Sequence, residues 1–436
     1  MTKLRLSKYI GLFVMAAAVS CQLNSQPMTS AQRCVIAKPG LARATPEEVG
    51  LSSQRLQRIN KVMQGYVDKN KVAGVVTMVA RRGKVAHFEC FGMMDMESKK
   101  PMQSDTIFRI YSMSKPVTSA AVMILYEEGH FQLNDPVSRF IPEFKDVKVF
   151  VRKTDSGVEA AEPKGEITIH NLLTHTSGLA YGLSKETPVD EMYEEANIFS
   201  WDETIEEKIK RLVKIPLANQ PGEKWKYSIS IDVLGRVVEV VSGKRFDEFL
   251  EERIFKPLGM NDTRFYVPEE KKGRFAVLYK VGDGGVLERY ERGKWNNFSS
   301  STRLFSGGAG LVSTASDYMR FCQMLLNGGE LDGVRILSRK TVELMTSNNL
   351  ADELLPYGGS DSKGEGFGLG FSVVMDVAQT GILGSEGQYS WGGAASTGFW
   401  VDPKEELIGI LMTQVMPYSG RFTEDFKVLT YQAIED

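Results

Sequence analysis

The chain has 436 residues, 42% of them hydrophobic and 25% charged, an ordinary globular composition with material for a large core. Its formal net charge of −2 leaves no electrostatic footprint for nucleic acid. Cys21, Cys34, Cys90 and Cys322 show neither metal spacing nor a disulfide framework, and His87, His130, His170 and His175 include no i,i+4 pair, so no metal and no cofactor is expected.

Residues 1–20 read as a targeting segment, with Lys3, Arg5 and Lys8 ahead of an apolar run over 9–19 that is short for a membrane span. Removing its three positive charges takes the net charge from −2 to −5. The run ends Ala18-Val19-Ser20-Cys21, which resembles a bacterial lipoprotein cleavage site. The expectation is a secreted or periplasmic protein anchored to a membrane by a lipid on Cys21, with polar residues 22–44 as a tether. A helix follows from Leu51, capped by Ser52 or Ser53, with Leu56, Ile59, Val62, Met63 and Val67 as its apolar stripe. Two strands, over 73–80 and 84–91, flank the tight turn Arg82-Gly83.

Residues 108–129 read as the helix around which the chain is organised. Val117, Ala120, Ala121, Ile124 and Leu125 recur at helical steps, Pro116 requires a start close to Ser112, and Gly129 supplies a stop. Ser112 and Lys115 then share one face at the positively polarised end of the helix. A serine hydroxyl is a poor nucleophile until a base takes its proton, and a neighbouring amine can serve. A second Ser-x-x-Lys, Ser360 to Lys363, lies in a glycine-rich run that cannot hold a helix. Only the first copy is a candidate nucleophile and base.

Beyond it the sequence is helical and loop-rich to about residue 345, with capping-box spacing at Thr204/Glu207 and Thr314/Asp317. Gln220-Pro-Gly starts a turn that leads to Tyr227 and a helix with Ile231, Leu234, Val238 and Val241 inward. Ser306-Gly-Gly-Ala-Gly310 lacks a P-loop ending and reads as a close backbone approach to a neighbouring element. Trp391-Gly392-Gly393 opens a strand where a ligand or backbone comes close. Strand character returns over 370–377, 394–401 and 407–414, followed by a helix from Arg421. Strands at both ends predict an α/β fold: one antiparallel sheet built from N- and C-terminal segments, flanked by helices, with a large helical insertion. The boundaries are about 46–110 and 360–436 for the α/β part and 111–359 for the helical part.

In this order, Ser112-Met-Ser-Lys115, Leu173-Thr-His-Thr-Ser-Gly178, Pro221-Gly222 through Tyr227, Gly307-Gly-Ala-Gly310 and Trp391-Gly-Gly resemble the serine β-lactamase and penicillin-recognising hydrolase superfamily, specifically its class C branch. The resemblance implies that Ser112 is acylated, that Lys115 holds or relays its proton, and that Tyr227 shares the base role and later protonates the leaving group. It also implies an oxyanion hole from the backbone N–H groups of Ser112 and Ala394. Two departures narrow the function. The lactamase Tyr-x-Asn reads Tyr227-Ser228-Ile229 here, and the Lys-Thr-Gly box, whose lysine attracts the β-lactam carboxylate, reads Trp391-Gly392-Gly393. Both departures look like the family VIII carboxylesterases, so a short-chain ester is the expected substrate. The rivals are a β-lactamase or D-amino-acid peptidase, with Ser230 partly replacing the missing asparagine, and a non-catalytic binding module.

Overall fold

The computed structural model describes residues 41–436, apart from 156, 183–186, 291–297 and 299–301, together with a two-residue strand at 32–33. The expected leader, Cys21 and most of the expected tether lie outside the described residues. The strands of the main sheet are β1 (Gln32–Arg33), β2 (Gly74–Arg81), β3 (Lys84–Asp95), β4 (Glu365–Phe367), β5 (Ser372–Val374), β6 (Tyr389–Gly393), β7 (Thr397–Asp402) and β8 (Leu407–Thr413). They run β1-β3-β2-β8-β7-β6-β5-β4, every neighbouring pair antiparallel, with the short strand Lys100–Pro101 added on β3. The two ends of the chain meet where β2 pairs with β8, from Arg81 opposite Leu407 to Val75 opposite Thr413. This is the mixed α/β architecture expected from the terminal strands.

Both central strands are buried at every position, which is why they read as unbroken apolar runs rather than alternating ones. Alternation persists in the packing. Val75 and Val79 of β2 join α1 (Ser53–Asp68) and the C-terminal helix Arg421–Tyr431 through Leu56, Ile59, Met63, Trp400 and Phe426. Val76, Met78 and Ala80 point the other way, into the core that contains α2 (Ser114–Glu127). The Ser52 hydroxyl caps α1 by accepting from the Arg55 N–H, and the turn between β2 and β3 puts Arg82 and Gly83 at φ +53° and +73°.

Several expectations need correcting. The expected tether is partly tied down: β1 pairs with β3, and the Ala44 N–H donates to the Val85 carbonyl at 3.1 Å. Cys90 is disulfide-bonded, so the cysteines are not all free. α2 is no amphipathic helix, because every residue from Ser114 to Leu125 is buried. The middle of the chain holds three further hairpins among the described residues, Val149–Thr154 with Gly157–Ala161, Tyr279–Val281 with Leu287–Arg289, and Glu330–Leu331 with Val334–Arg335. At Thr314 only half of the capping box forms: its hydroxyl accepts from Asp317 N–H, but the Asp317 carboxylate turns to the Asp262 N–H and the Thr263 hydroxyl.

Candidate active site

The approach to Ser112 is pinned from both sides. Phe108–Arg109 pairs with Val312–Ser313, the Ile110 N–H donates to Leu311 O at 3.1 Å, and the Gln414 amide brackets Arg109 by accepting from its N–H and donating to its carbonyl. The chain then turns through Tyr111, at φ +41°, into a 3-10 turn over Tyr111–Met113 and so into α2. A positive φ at a bulky residue is unfavourable and persists only where the surroundings fix it. Here the Tyr318 hydroxyl donates to Met113 O and the Leu311 N–H to Ser114 Oγ. The helix proper therefore begins just after Ser112, leaving Pro116 in its first turn, where a missing N–H costs nothing.

The structure brings together the three side chains that the sequence singled out. Lys115 is fully buried, and its Nζ donates to Ser112 Oγ at 3.1 Å and to the Gly308 carbonyl at 2.8 Å. The Tyr227 hydroxyl lies 2.7 Å from Ser112 Oγ on its other side. The ammonium also stands 4.6 Å from the centre of the Tyr227 ring. Positive charge thus sits beside the two oxygens that can become anionic. Such a set can deprotonate a hydroxyl and return the proton to a leaving group.

Two side chains hold the set: Asp232, to which the sequence assigned no role, and His175, which it gave only as part of a motif. Asp232 is buried behind the glycine-rich loop, accepting from the Ser306 hydroxyl at 2.5 Å, and a Cβ at Gly308 would lie 3.0 Å from its carboxylate and 3.6 Å from Lys115 Nζ. The close backbone approach read from that loop is present, and it places the carbonyl that receives the Lys115 ammonium. His175 holds both neighbours of Tyr227: its carbonyl accepts from the Lys226 N–H at 2.9 Å, and its Nδ1 bonds the Ser228 hydroxyl at 3.0 Å. The imidazole centre is 5.0 Å from the Tyr227 ring, and burial together with the Lys115 charge pushes its pKa well below the usual histidine range. Tyr181 stacks on Tyr227 at 5.2 Å, and Trp391 lies 5.7 Å away on another side.

Ser230 takes no part in the cleft. It is fully buried and bonded to the Ser177 and Ser228 hydroxyls, so it does not replace the lactamase asparagine. Ser112, Tyr227, Trp391, Gly392, Gly393 and Ala394 all line one cavity of about 640 Å³. A Cβ on Gly393 would come within 2.4 Å of Ile110 O, so glycine there lets β6 lie against the Ser112 turn. Lys363, from the second Ser-x-x-Lys, also lines the cavity, whereas Ser360 does not.

A serine, a buried lysine and a tyrosine joined at the head of a buried helix, beside the last strands of an antiparallel sheet, define a serine hydrolase of the β-lactamase/transpeptidase fold. The chain belongs to the beta-lactamase family, whose model matches residues 59–433. It is 38% identical to Protein Rv1367c of Mycobacterium tuberculosis, over 80% of this chain and 88% of that one. It is 32% identical to Esterase EstB of Burkholderia gladioli, over 83% and 91%. Among solved structures it resembles EstCE1, described as a hydrolase with promiscuous acyltransferase activity, with TM-score 0.74 and 28% identity over 87% of this chain and 99% of that one.

Proposed function

We propose that the protein is a carboxylesterase that works through an acyl-enzyme on Ser112. The observation that carries this reading is the convergence of Lys115 Nζ and the Tyr227 hydroxyl on Ser112 Oγ, at 3.1 and 2.7 Å. Ser112 Oγ attacks the ester carbonyl carbon, and its proton passes to the Tyr227 oxygen, which enters the step as the phenolate beside the Lys115 ammonium. The carbonyl oxygen becomes an oxyanion, for which the backbone N–H groups of Ser112 and Ala394, both on the cavity wall, are the proposed donors. As the tetrahedral intermediate collapses the C–O bond to the alcohol breaks, and Tyr227 returns the proton to the departing oxygen. Water then repeats the sequence on the acyl-enzyme and releases the acid.

An ester is favoured over a β-lactam because Trp391 stands where the lactamase box carries its lysine, so the wall beside Ser112 is aromatic and uncharged. The similarity to Esterase EstB supports this choice. The test is hydrolysis of p-nitrophenyl acetate and butyrate beside a chromogenic cephalosporin, with intact-mass analysis after a fluorophosphonate probe. Faster ester turnover and a single adduct that disappears in Ser112→Ala are expected. Cephalosporin turnover that exceeds ester turnover, or labelling that survives in Ser112→Ala, overturns the reading.

A further inference from the structure

The cavity that holds Ser112 continues to a second, polar end. There its wall is made by Glu365 and Ser372 of the β4–β5 hairpin, Gln388 and Ser390 at the start of β6, and Thr423 and Lys427 of the C-terminal helix. This end has a cation to spare. Lys427, half-buried on the cavity wall, makes no hydrogen bond or ion pair with any described residue. Burial holds the amine down at about 8, against the pull of Glu365, Asp402 and Glu424.

The neighbouring carboxylates do not serve as its partners. Glu365 accepts from the Tyr357 hydroxyl at 3.1 Å and the Ser372 hydroxyl at 2.8 Å. Asp402 accepts from the Lys404 and Glu405 N–H groups and from the Tyr431 hydroxyl. Glu424 is exposed at the rim, as are Asp361 and Lys363, whose opposite charges offset each other. A partly desolvated ammonium that no acceptor meets at hydrogen-bond distance gains from an incoming anion.

We propose that this end of the cavity is an anion subsite, in which Lys427 is the counter-ion to a carboxylate borne by the substrate. The inference rests on the esterase reading and names its substrate class: esters that carry a free carboxylate away from the scissile bond. The neutral Trp391 at the third box does not leave the cavity without a cation; the C-terminal helix supplies one from a different direction.

Two measurements on the full chain test it. In the first, Ser112→Ala is titrated with adipate and suberate, beside the corresponding diols, by calorimetry. The dicarboxylates should bind at pH 6.5, at least tenfold more weakly at pH 9.5 where the amine is neutral, and at least tenfold more weakly when Lys427→Met is added. Lys427→Arg should retain binding. In the second, wild-type kcat/KM is compared for ω-carboxy esters, with the acid on the acyl or on the alcohol side, and their methyl-terminated counterparts. At least one acid-bearing ester should be preferred tenfold or more, and Lys427→Met should abolish that preference. Dicarboxylates that fail to bind Ser112→Ala, or that bind equally well after Lys427→Met, overturn the subsite. A wild type that hydrolyses neither ester, while Ser112→Ala still binds dicarboxylate through Lys427, refutes the esterase reading and supports the subsite.

Discussion

The two ends of the cavity are built on opposite principles. Around Ser112 the reactive atoms are already bonded to one another: Ser112 Oγ to Lys115 and Tyr227, Lys115 to the Gly308 carbonyl, and the residues either side of Tyr227 to His175. At the other end the Lys427 ammonium makes no hydrogen bond or ion pair with any described residue. Preorganisation before substrate arrives is what a step that develops charge requires, because little is spent on reorganisation during reaction. Spare donors suit recognition, where the missing acceptor comes with the ligand. Substitutions at the first end should therefore act mainly on kcat, and those at the second on which substrate is chosen.

The largest effect is expected at Lys115. Lys115→Met keeps the length and burial of the side chain but removes the charge, the bond to Ser112 and the bond to Gly308, and kcat should fall by about 10³-fold or more. Retention of a tenth of the activity would show that the lysine is only packing. Tyr227→Phe removes a single oxygen and leaves the stacked rings in place, so the expected loss in kcat is about 10²–10³-fold with an unchanged thermal midpoint. Gly393→Ala should come next. Its Cβ would lie 2.4 Å from Ile110 O and 2.3 Å from Thr397 Oγ1, which drives β6 away from the Ser112 turn. A displacement near 1 Å at the reacting centre can cost about 10²-fold. If kcat is untouched while the variant folds, the position of Ala394 does not matter to the reaction.

How much of this was legible in the sequence depends on how local each feature is. Ser112 and Lys115 are three residues apart, so one helix start brings them together, and Tyr227 was found through an ordered set of motifs. The sheet was legible because its central strands are long apolar runs. The hairpin at 149–161 was missed because Gly157–Ala161 is exposed throughout and carries no alternation of buried and exposed residues. Asp232 and Lys427 were missed for another reason. Asp232 acts on a loop 74 residues away in sequence, and Lys427 meets the cavity only because the last helix packs on the sheet. In the one-dimensional pattern each is a charged residue on a helix. His175 was visible only as part of a motif, since its hold on Tyr227 depends on a chain segment about 50 residues further along.

The comparison extends to pH, and here the two ends should fail on opposite sides of neutrality. The Lys427 amine, near 8, loses its charge as the medium becomes alkaline, and with it the preference for acid-bearing substrates. Acid affects the folded state itself. His175 is held well below the normal histidine value by burial and by Lys115, and His87, buried against the Thr77 hydroxyl at 2.8 Å, is pushed down to about 3. Both stay neutral in the fold, whereas the unfolded chain protonates them below about pH 6.5. Between that value and their folded values the unfolded state binds more protons, so stability must decline as pH falls. Asp317 opposes this: burial raises it to about 6, so below that value it takes up a proton in the fold before it does so in the unfolded chain. His87 and His175 against Asp317 leave a net loss of about 2–4 kcal/mol from pH 7.5 to 5, at about 1.4 kcal/mol per group per pH unit, and His170, also lowered by burial, acts in the same direction. Urea unfolding at the two values measures it. His175→Asn, which retains an amide to meet Ser228, removes one of these titrating groups and should make that decline shallower. Equal stability at pH 7.5 and 5 in the wild type would mean that these imidazoles are not kept neutral, and the account of how His175 supports Tyr227 beside a charged Lys115 would have to be abandoned.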